Sequence, residues 1–296
     1  IDDTLPMDGG INLNHGTSAA FSIGIIGKLG RGAIQWNLSG GSNVPYLDVG
    51  NTAANRLYKP SIVDLMMLHS LIPTEGPTIR LGPNTDGMGM ERVHLRDGGL
   101  GAAALYGIDA LVGFEMRNSK IDLRTDSAVL AAAGLFPIGI QCSATTTVSG
   151  PNLTNVAIDG HADPASRSYA LRFTNSGLVD APRLNNCHFN GHSIGILKNT
   201  GAGSVANFNS VNLYLDGCVK GIFLDPVGGG GDCSKWLFSE TWIAGSSYGI
   251  QAAVSNGGTL GDLVFTTGRI TNVTVSGIAV DGAAGLIITN FLIPGA

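Results

Sequence analysis

The chain has 296 residues, 44 of them glycine, with 44% hydrophobic residues, only 13% charged residues and a formal net charge of -5. That apolar content is enough for a core and excludes a disordered chain, while the lack of a strict Gly-X-Y period excludes collagen. Lys plus Arg total 17 without a basic run, which argues against a nucleic-acid surface, and no continuous apolar segment is long enough to cross a bilayer.

The start, IDDTLPMDGG, lacks the basic-then-apolar order of a signal peptide. With no initiating Met and an abrupt end at LIPGA, the chain is expected to be a segment or a processed product of a longer protein. Residues 1–75 read as an irregular region with the first strands, among them GIIGKLGRGAIQWNL (24–38). SIVDLMMLHSLI (61–72) suits a short helix or a buried strand, and PTIRLG (77–82) suits a strand. DSAVLAAAGL (126–135) is the best helix candidate, with Asp126 or Ser127 as its cap.

From about residue 76 to 296 the chain repeats. Gly-hydrophobic pairs occur at Gly113-Phe114, Gly139-Ile140, Gly195-Ile196, Gly221-Ile222, Gly249-Ile250 and Gly277-Ile278. Their intervals are 26, 56, 26, 28 and 28 residues, the second being two turns. The missing member falls near Ala170-Leu171, after HADPASRS (161–168), which reads as a surface insertion. VAIDG (156–160), CHFNG (187–191), LYLDG (213–217) and TWIAG (241–245) run in phase as short strands ending in Gly.

Short strands rich in β-branched residues, with Gly or Asn at corners needing positive φ, predict an all-β parallel β-helix with coils of about 26–28 residues. A leucine-rich or other helical repeat lacks a helical stretch here, and a β-sandwich would not impose the phase. Alternation places Cys187 and Phe189, then Val211, Leu213 and Leu215, then Thr241 and Ile243, inward. The four cysteines, Cys142, Cys187, Cys218 and Cys233, have no metal-ligand spacing, and no cofactor is expected.

Outward residues then form columns. One is Asn155, Asn186, Asn212 and Glu240; the next is Ala157, His188, Tyr214 and Trp242, with Arg269 a fifth member after a one-residue slip. A third is Asp159, Asn190, Asp216 and Ala244. Upstream, His94 and Asp122 are 28 residues apart, as are Arg96 and Arg124. The Asn corners suit structural amide ladders. Tyr214 and Trp242 suit the apolar C–H faces of sugar rings, with His188, Arg269 and Asn212 as polar partners; the bland alternative is packing beneath a loop or another subunit. Glu240, Asp216 and Asp122 are the candidate catalytic carboxylates. Glu240 and Asp216 are about 13 Å apart along the strands and make a poor pair, whereas Asp159 and Asp216 share a column ~9–10 Å apart. An Asp before Gly is also an ordinary corner.

These repeats resemble the pectin-lyase-like right-handed β-helix superfamily, and within it phage tailspikes and polysaccharide depolymerases. The resemblance covers about residues 75 to 293, with residues 20 to 50 as a further segment. It implies a right-handed single-stranded solenoid, a polysaccharide partner, homotrimeric assembly and an extracellular or virion location. It also implies glycosidic cleavage, by hydrolysis or, alternatively, by elimination. Within the superfamily, NTDG (84–87) matches the first polygalacturonase motif, with Asp86 as its acid. NGHSIG gives His192 a partial match to a later one, but the remaining motif residues are absent. A non-enzymatic receptor-binding or structural module would keep the aromatic column without a carboxylate pair. No phosphate loop, metal cluster or nucleophile triad supports an intracellular metabolic enzyme.

Overall fold

The computed structural model describes residues 11–12, 24–26, 33–36, 47–49, 57–58, 61–69, 79–83, 85–96, 103–108, 114–123, 137–160 and 168–293. They form a right-handed parallel β-solenoid in which each strand pairs with the equivalent strand one coil away. A typical coil holds Ile138–Ser143, Val148–Ser149 and Asn152–Asp159. The first kind of strand stacks into a ten-stranded sheet and the other two into a seventeen-stranded sheet. The hydrophobic member of the Gly-hydrophobic repeat keeps one register line in which Ile140, Leu171, Ile196, Ile222, Ile250 and Ile278 are successive partners; upstream it continues to Leu105 and not to Phe114, which leads into Glu115–Asp122 of the other sheet. The member missing from the sequence series is therefore Leu171.

SIVDLMMLHSLI contains two strands, Ser61–Val63 and Met66–His69, rather than a helix. The break between them is Asp64, whose φ is 56°. The helix candidate at 126–135 and all of the 161–168 insertion except the buried Ser168 lie outside the described residues.

The two glycine markers have different physical causes. Gly191, Gly217 and Gly245 have φ of 71°, 59° and 63°, the left-handed corner foreseen from sequence, and Asn272 (φ 55°) occupies the next such corner. The glycines of the Gly-Ile repeat are needed instead for close approach. A Cβ on Gly221 would lie 2.5 Å from the Gly249 carbonyl oxygen and 2.8 Å from Ile243 Cγ2, and one on Gly249 would meet Gly277 and Ile270 at 2.5 and 2.9 Å. At this line the two sheets converge, and a side chain would push the coils apart.

The core between the sheets contains stacked rings. Phe208 and Trp236 stack at 4.3 Å between centroids, Phe238 and Phe265 at 4.9 Å, and Trp236 donates to the Val205 carbonyl at 2.9 Å. All four cysteines are buried free thiols. Cys187, Phe189, Leu213, Leu215, Thr241 and Ile243 face inward as expected, but Val211 is 40% exposed. Simple alternation fails there because the next residue, Asn212, takes φ 53° and turns the strand.

His192 is also a core residue, not an exposed catalytic group. Its Nε2 donates to the Ile158 carbonyl at 2.9 Å, and its Nδ1 accepts from the Ser168 hydroxyl at 3.1 Å. Burial lowers its pKa to about 4. The folded ring therefore stays neutral while the unfolded chain takes up a proton below about pH 6.5. Its contribution is complete above that pH and is lost as pH falls toward 4.

Two outcomes are expected. Gly221→Ala should destabilise the fold by about 1–3 kcal/mol in urea unfolding, because neither the carbonyl nor the isoleucine can retreat without moving a coil. Wild-type stability should fall by about 2 kcal/mol more than that of His192→Gln between pH 7.5 and pH 5. Equal pH slopes for the two proteins would contradict the neutral buried histidine.

Candidate functional site

The seventeen-stranded sheet bends within each long strand, and one polar residue per coil makes the bend. Asp64, Arg92, Asn118, Asn155, Asn186, Asn212, Glu240, Thr267 and Asn290 all have φ between 49° and 56°. Asparagine tolerates this region better than most residues because its short amide bonds locally. Here the amides bond along the solenoid. Asn155 donates to Asn118 at 2.9 Å, Asn186 to Asn155 at 2.7 Å and Asn212 to Asn186 at 2.7 Å. Arg92 grips Asp64 with two bonds, of 2.5 and 3.0 Å, in the same column. The asparagine ladder foreseen from sequence is present. Asn212 is one of its rungs, and Glu240 occupies the following corner.

Two residues beyond each bend lies the outward column. Register pairing runs His94, Lys120, Ala157, His188, Tyr214, Trp242, Arg269 without interruption. The slip assigned to Arg269 is therefore correct. Trp242 is 44% exposed. Tyr214 meets it edge-on with centroids 4.6 Å apart, and the His188 and Tyr214 ring centroids are 4.7 Å apart. Trp242 Nε1 donates to Thr271 at 3.3 Å, so the indole is held from its side. His188 Nε2 is buried without a hydrogen-bond partner, which turns that nitrogen away from any ligand. Burial and the nearby Asp216 carboxylate raise the Tyr214 pKa, leaving a neutral phenol.

A further two residues along runs the acidic column, Asp122, Asp159, Asn190, Asp216, Ala244, Thr271. Its upstream end is an ion-pair cluster. Lys120 Nζ lies 2.9 Å from both Asp122 and Asp159, and His94 Nε2 lies 2.7 Å from Asp122. Burial works against ionisation of Asp122, but the bonds from Lys120 and His94 prevail and lower its pKa. The Asp122 side chain is only 3% exposed, so this carboxylate organises the cluster from beneath. The register there pairs His94 with Lys120 and Arg96 with Asp122, so the 28-residue relation of His94 to Asp122 is a diagonal contact. Arg124 lies outside the described residues.

Asp159 and Asp216 are separated by one register partner, Asn190. Two coil spacings put their backbones about 9.6 Å apart. Glu240 is itself the bend residue, four positions before Ala244, the register partner of Asp216. Sequence reasoning missed Lys120, whose column is joined to the next coil through a 37-residue interval, measured from Asn118 to Asn155, that hides the repeat. It also missed a groove of about 160 Å³ over Gly89, bordered by Ser61, Glu91, Glu115 and Arg117. Its carboxylates are paired, Glu91 with Arg92 at 2.5 Å and Glu115 with Arg117 at 2.7 Å.

No protein-family model and no curated protein matches the sequence. Among solved structures, Geobacillus virus E2 ORF18 is similar with a TM-score of 0.44 and 15% identity, over 99% of this chain and 53% of that one. The catalytic domain of a GH87 alpha-1,3-glucanase in complex with nigerose gives 0.44 and 13%, over 100% and 63%. Bacteriophage CBA120 tailspike protein 3 gives 0.39 and 11%, over 99% and 53%. This chain thus spans between 53% and 63% of the length of those proteins, and the likeness is one of fold.

Glu240→Asn should raise stability by about 1 kcal/mol, because asparagine accepts the left-handed corner more readily and extends the amide ladder beyond Asn212. Urea unfolding checks this; an unchanged or lower midpoint would show that the glutamate has a compensating contact.

Proposed function

We propose that this protein binds an extended bacterial surface polysaccharide along the seventeen-stranded wall and cleaves it by hydrolysis of a glycosidic bond. The observation that carries the reading is the register-aligned column His188, Tyr214, Trp242 and Arg269 beside Asn190, Asp216 and Thr271. Sugar rings present C–H faces to the exposed indole and hydroxyls to the neighbouring polar row. Successive coils repeat the arrangement, which suits a polymer better than a small molecule.

For hydrolysis, Asp159 and Asp216 are the favoured pair. Their backbone separation of about 9.6 Å is near the upper end of the spacing for inverting glycosidases, about 6.5–9.5 Å between carboxyl groups. Asp216 would protonate the leaving oxygen, and Asp159, next to Lys120, would activate water. The scissile bond would then lie over Asn190. Asp122 supports Asp159 through Lys120 without touching the glycan. A homotrimer on the outside of a virion or cell goes with this reading, through the repeat resemblance to tailspikes.

Binding without cleavage is the second reading, favoured by one observation: the Asp159 carboxylate is already engaged by Lys120 at 2.9 Å. A panel of capsular and O-antigen polysaccharides separates the two. Hydrolysis predicts shortened chains without the ultraviolet absorbance of an unsaturated sugar end. Asp216→Asn should slow it at least about 100-fold with retention of the polymer intact, and Trp242→Ala should weaken retention about tenfold. Retention without shortening would leave the binding module. Neither retention nor shortening would reject the proposal.

A further inference from the structure

The groove over Gly89 lies on the seventeen-stranded sheet, upstream of the rings, and the glycine is what opens it. Two outward register lines cross this part of the wall. One runs Ser61, Gly89, Glu115, and the other, two residues further along each strand, runs Val63, Glu91, Arg117. Three coils and two lines make six outward positions, five with side chains and one without. The groove, about 160 Å³ in volume, occupies the position without, and Met90 also lines it.

Nothing in the fold calls for this glycine. Gly89 sits in the extended strand Gly89–Glu91 without a positive φ. A Cβ built on it would meet no atom within 4 Å, whereas one on Gly221 or Gly249 would meet a carbonyl oxygen at 2.5 Å. Glycine inside a strand costs stability relative to a β-branched residue. What the glycine provides is the open space.

The rim of that space is accessible and fixed. The side chains of Glu91, Glu115 and Arg117 are 44, 47 and 55% exposed, so the groove opens on solvent. Arg117 donates to Glu115 Oε2 at 2.7 Å, and Asn152 Nδ2 lies 3.5 Å from Glu115 Oε1. Glu91 accepts from Arg92 at 2.5 Å, and Arg92 is itself forked onto Asp64. Each carboxylate is thus matched by an arginine yet keeps lone pairs for further donors, and Arg117 keeps N–H groups for acceptors. Balanced charge with fixed donors and acceptors suits a neutral polyol. A cation would have to displace the arginines, and an anion would face both carboxylates. The volume is below the ~300 Å³ at which pockets for larger ligands begin, so it takes a single ring.

We propose that the groove over Gly89 binds one neutral sugar ring, with hydroxyls on Glu91, Glu115 and Arg117 and a C–H face on Val63 and Met90. Four coils, or about 19 Å, separate it from the strand that carries Tyr214. It is a site apart from the aromatic row and does not rest on that row holding a polymer.

The test follows the methyl signals of Val63 and Met90 by NMR in the full chain. The titrants are the methyl glycosides of glucose, galactose, mannose, rhamnose and N-acetylglucosamine, with calcium chloride, methylamine and glucuronate as charged probes. At least one glycoside should shift both residues' signals saturably, and the charged probes should act at least about tenfold more weakly. Glu115→Gln should weaken binding about tenfold. Gly89→Val should abolish the Met90 shift, yet unfold at the same or a higher urea concentration than the wild type. The inference fails if no glycoside moves these signals, or if a charged probe moves them more strongly. It fails equally if Gly89→Val or Glu115→Gln binds as the wild type does. A lower urea midpoint for Gly89→Val would also overturn it, since the fold would then need the glycine.

Discussion

The interstrand hydrogen bond, repeated in parallel from one coil to the next, is the constraint on which the rest of this structure depends. It fixes the coil spacing at about 4.8 Å and makes each residue the neighbour of its equivalent one turn away. Everything that recurs in the sequence follows from that neighbourhood. A glycine is required where two sheets converge because its equivalent's carbonyl lies 2.5 Å from the space a Cβ would fill. An asparagine suits a corner because the amide above accepts what the amide below donates. Phenylalanines and a tryptophan stack because the core repeats at the same interval. The same rule acts outside, where it turns one outward position per coil into a continuous row.

That row explains why a modest set of residues can form an extended surface without a deep pocket. His188, Tyr214, Trp242 and Arg269 come from separate coils, yet the sheet register aligns them as closely as successive residues in a strand. The acidic column two residues further on is set by the same strands, so its relation to the rings is equally fixed. Charge is handled differently at its two ends. Asp122 and Asp159 are drawn together by Lys120, whereas Asp216 stands two coils away across Asn190. The ten-stranded sheet reverses the sign, with cations laid against rings and no acid in its later strands.

Most of the regular part was legible because one physical requirement selects one residue type at one interval. From Gly195 onward the close-approach glycines keep that interval nearly constant, and the corner asparagines Asn155, Asn186 and Asn212 follow it at 31 and 26 residues. Legibility fails where another residue meets the same requirement. The corner accepts Asp64, Arg92, Glu240 and Thr267, so sequence alone made Glu240 a catalytic candidate when its backbone places it at a bend. It fails too where coil length changes. Thirty-seven residues separate Asn118 from Asn155, against 26 between Asn186 and Asn212, and Lys120 stayed hidden behind that longer excursion. Val211 shows a third limit: a left-handed residue inside a strand shifts the alternation, and apolar character alone cannot reveal that its side chain faces solvent. His192 shows the converse, a motif-like histidine whose buried hydrogen bonds assign it to the core.

The central claim, that a polysaccharide lies against the Tyr214–Trp242 row, has a direct optical test. Trp236 is fully buried, whereas Trp242 is 44% exposed, so in a Trp36→Phe background a quencher dissolved in water should report chiefly on Trp242. Titration with the polymer that the protein retains should protect this emission saturably, with the same midpoint as binding. Trp242→Phe should abolish the protected component while Trp236 emission persists. Binding that leaves Trp242 as accessible as before, or the lack of any retained polymer, would contradict the account.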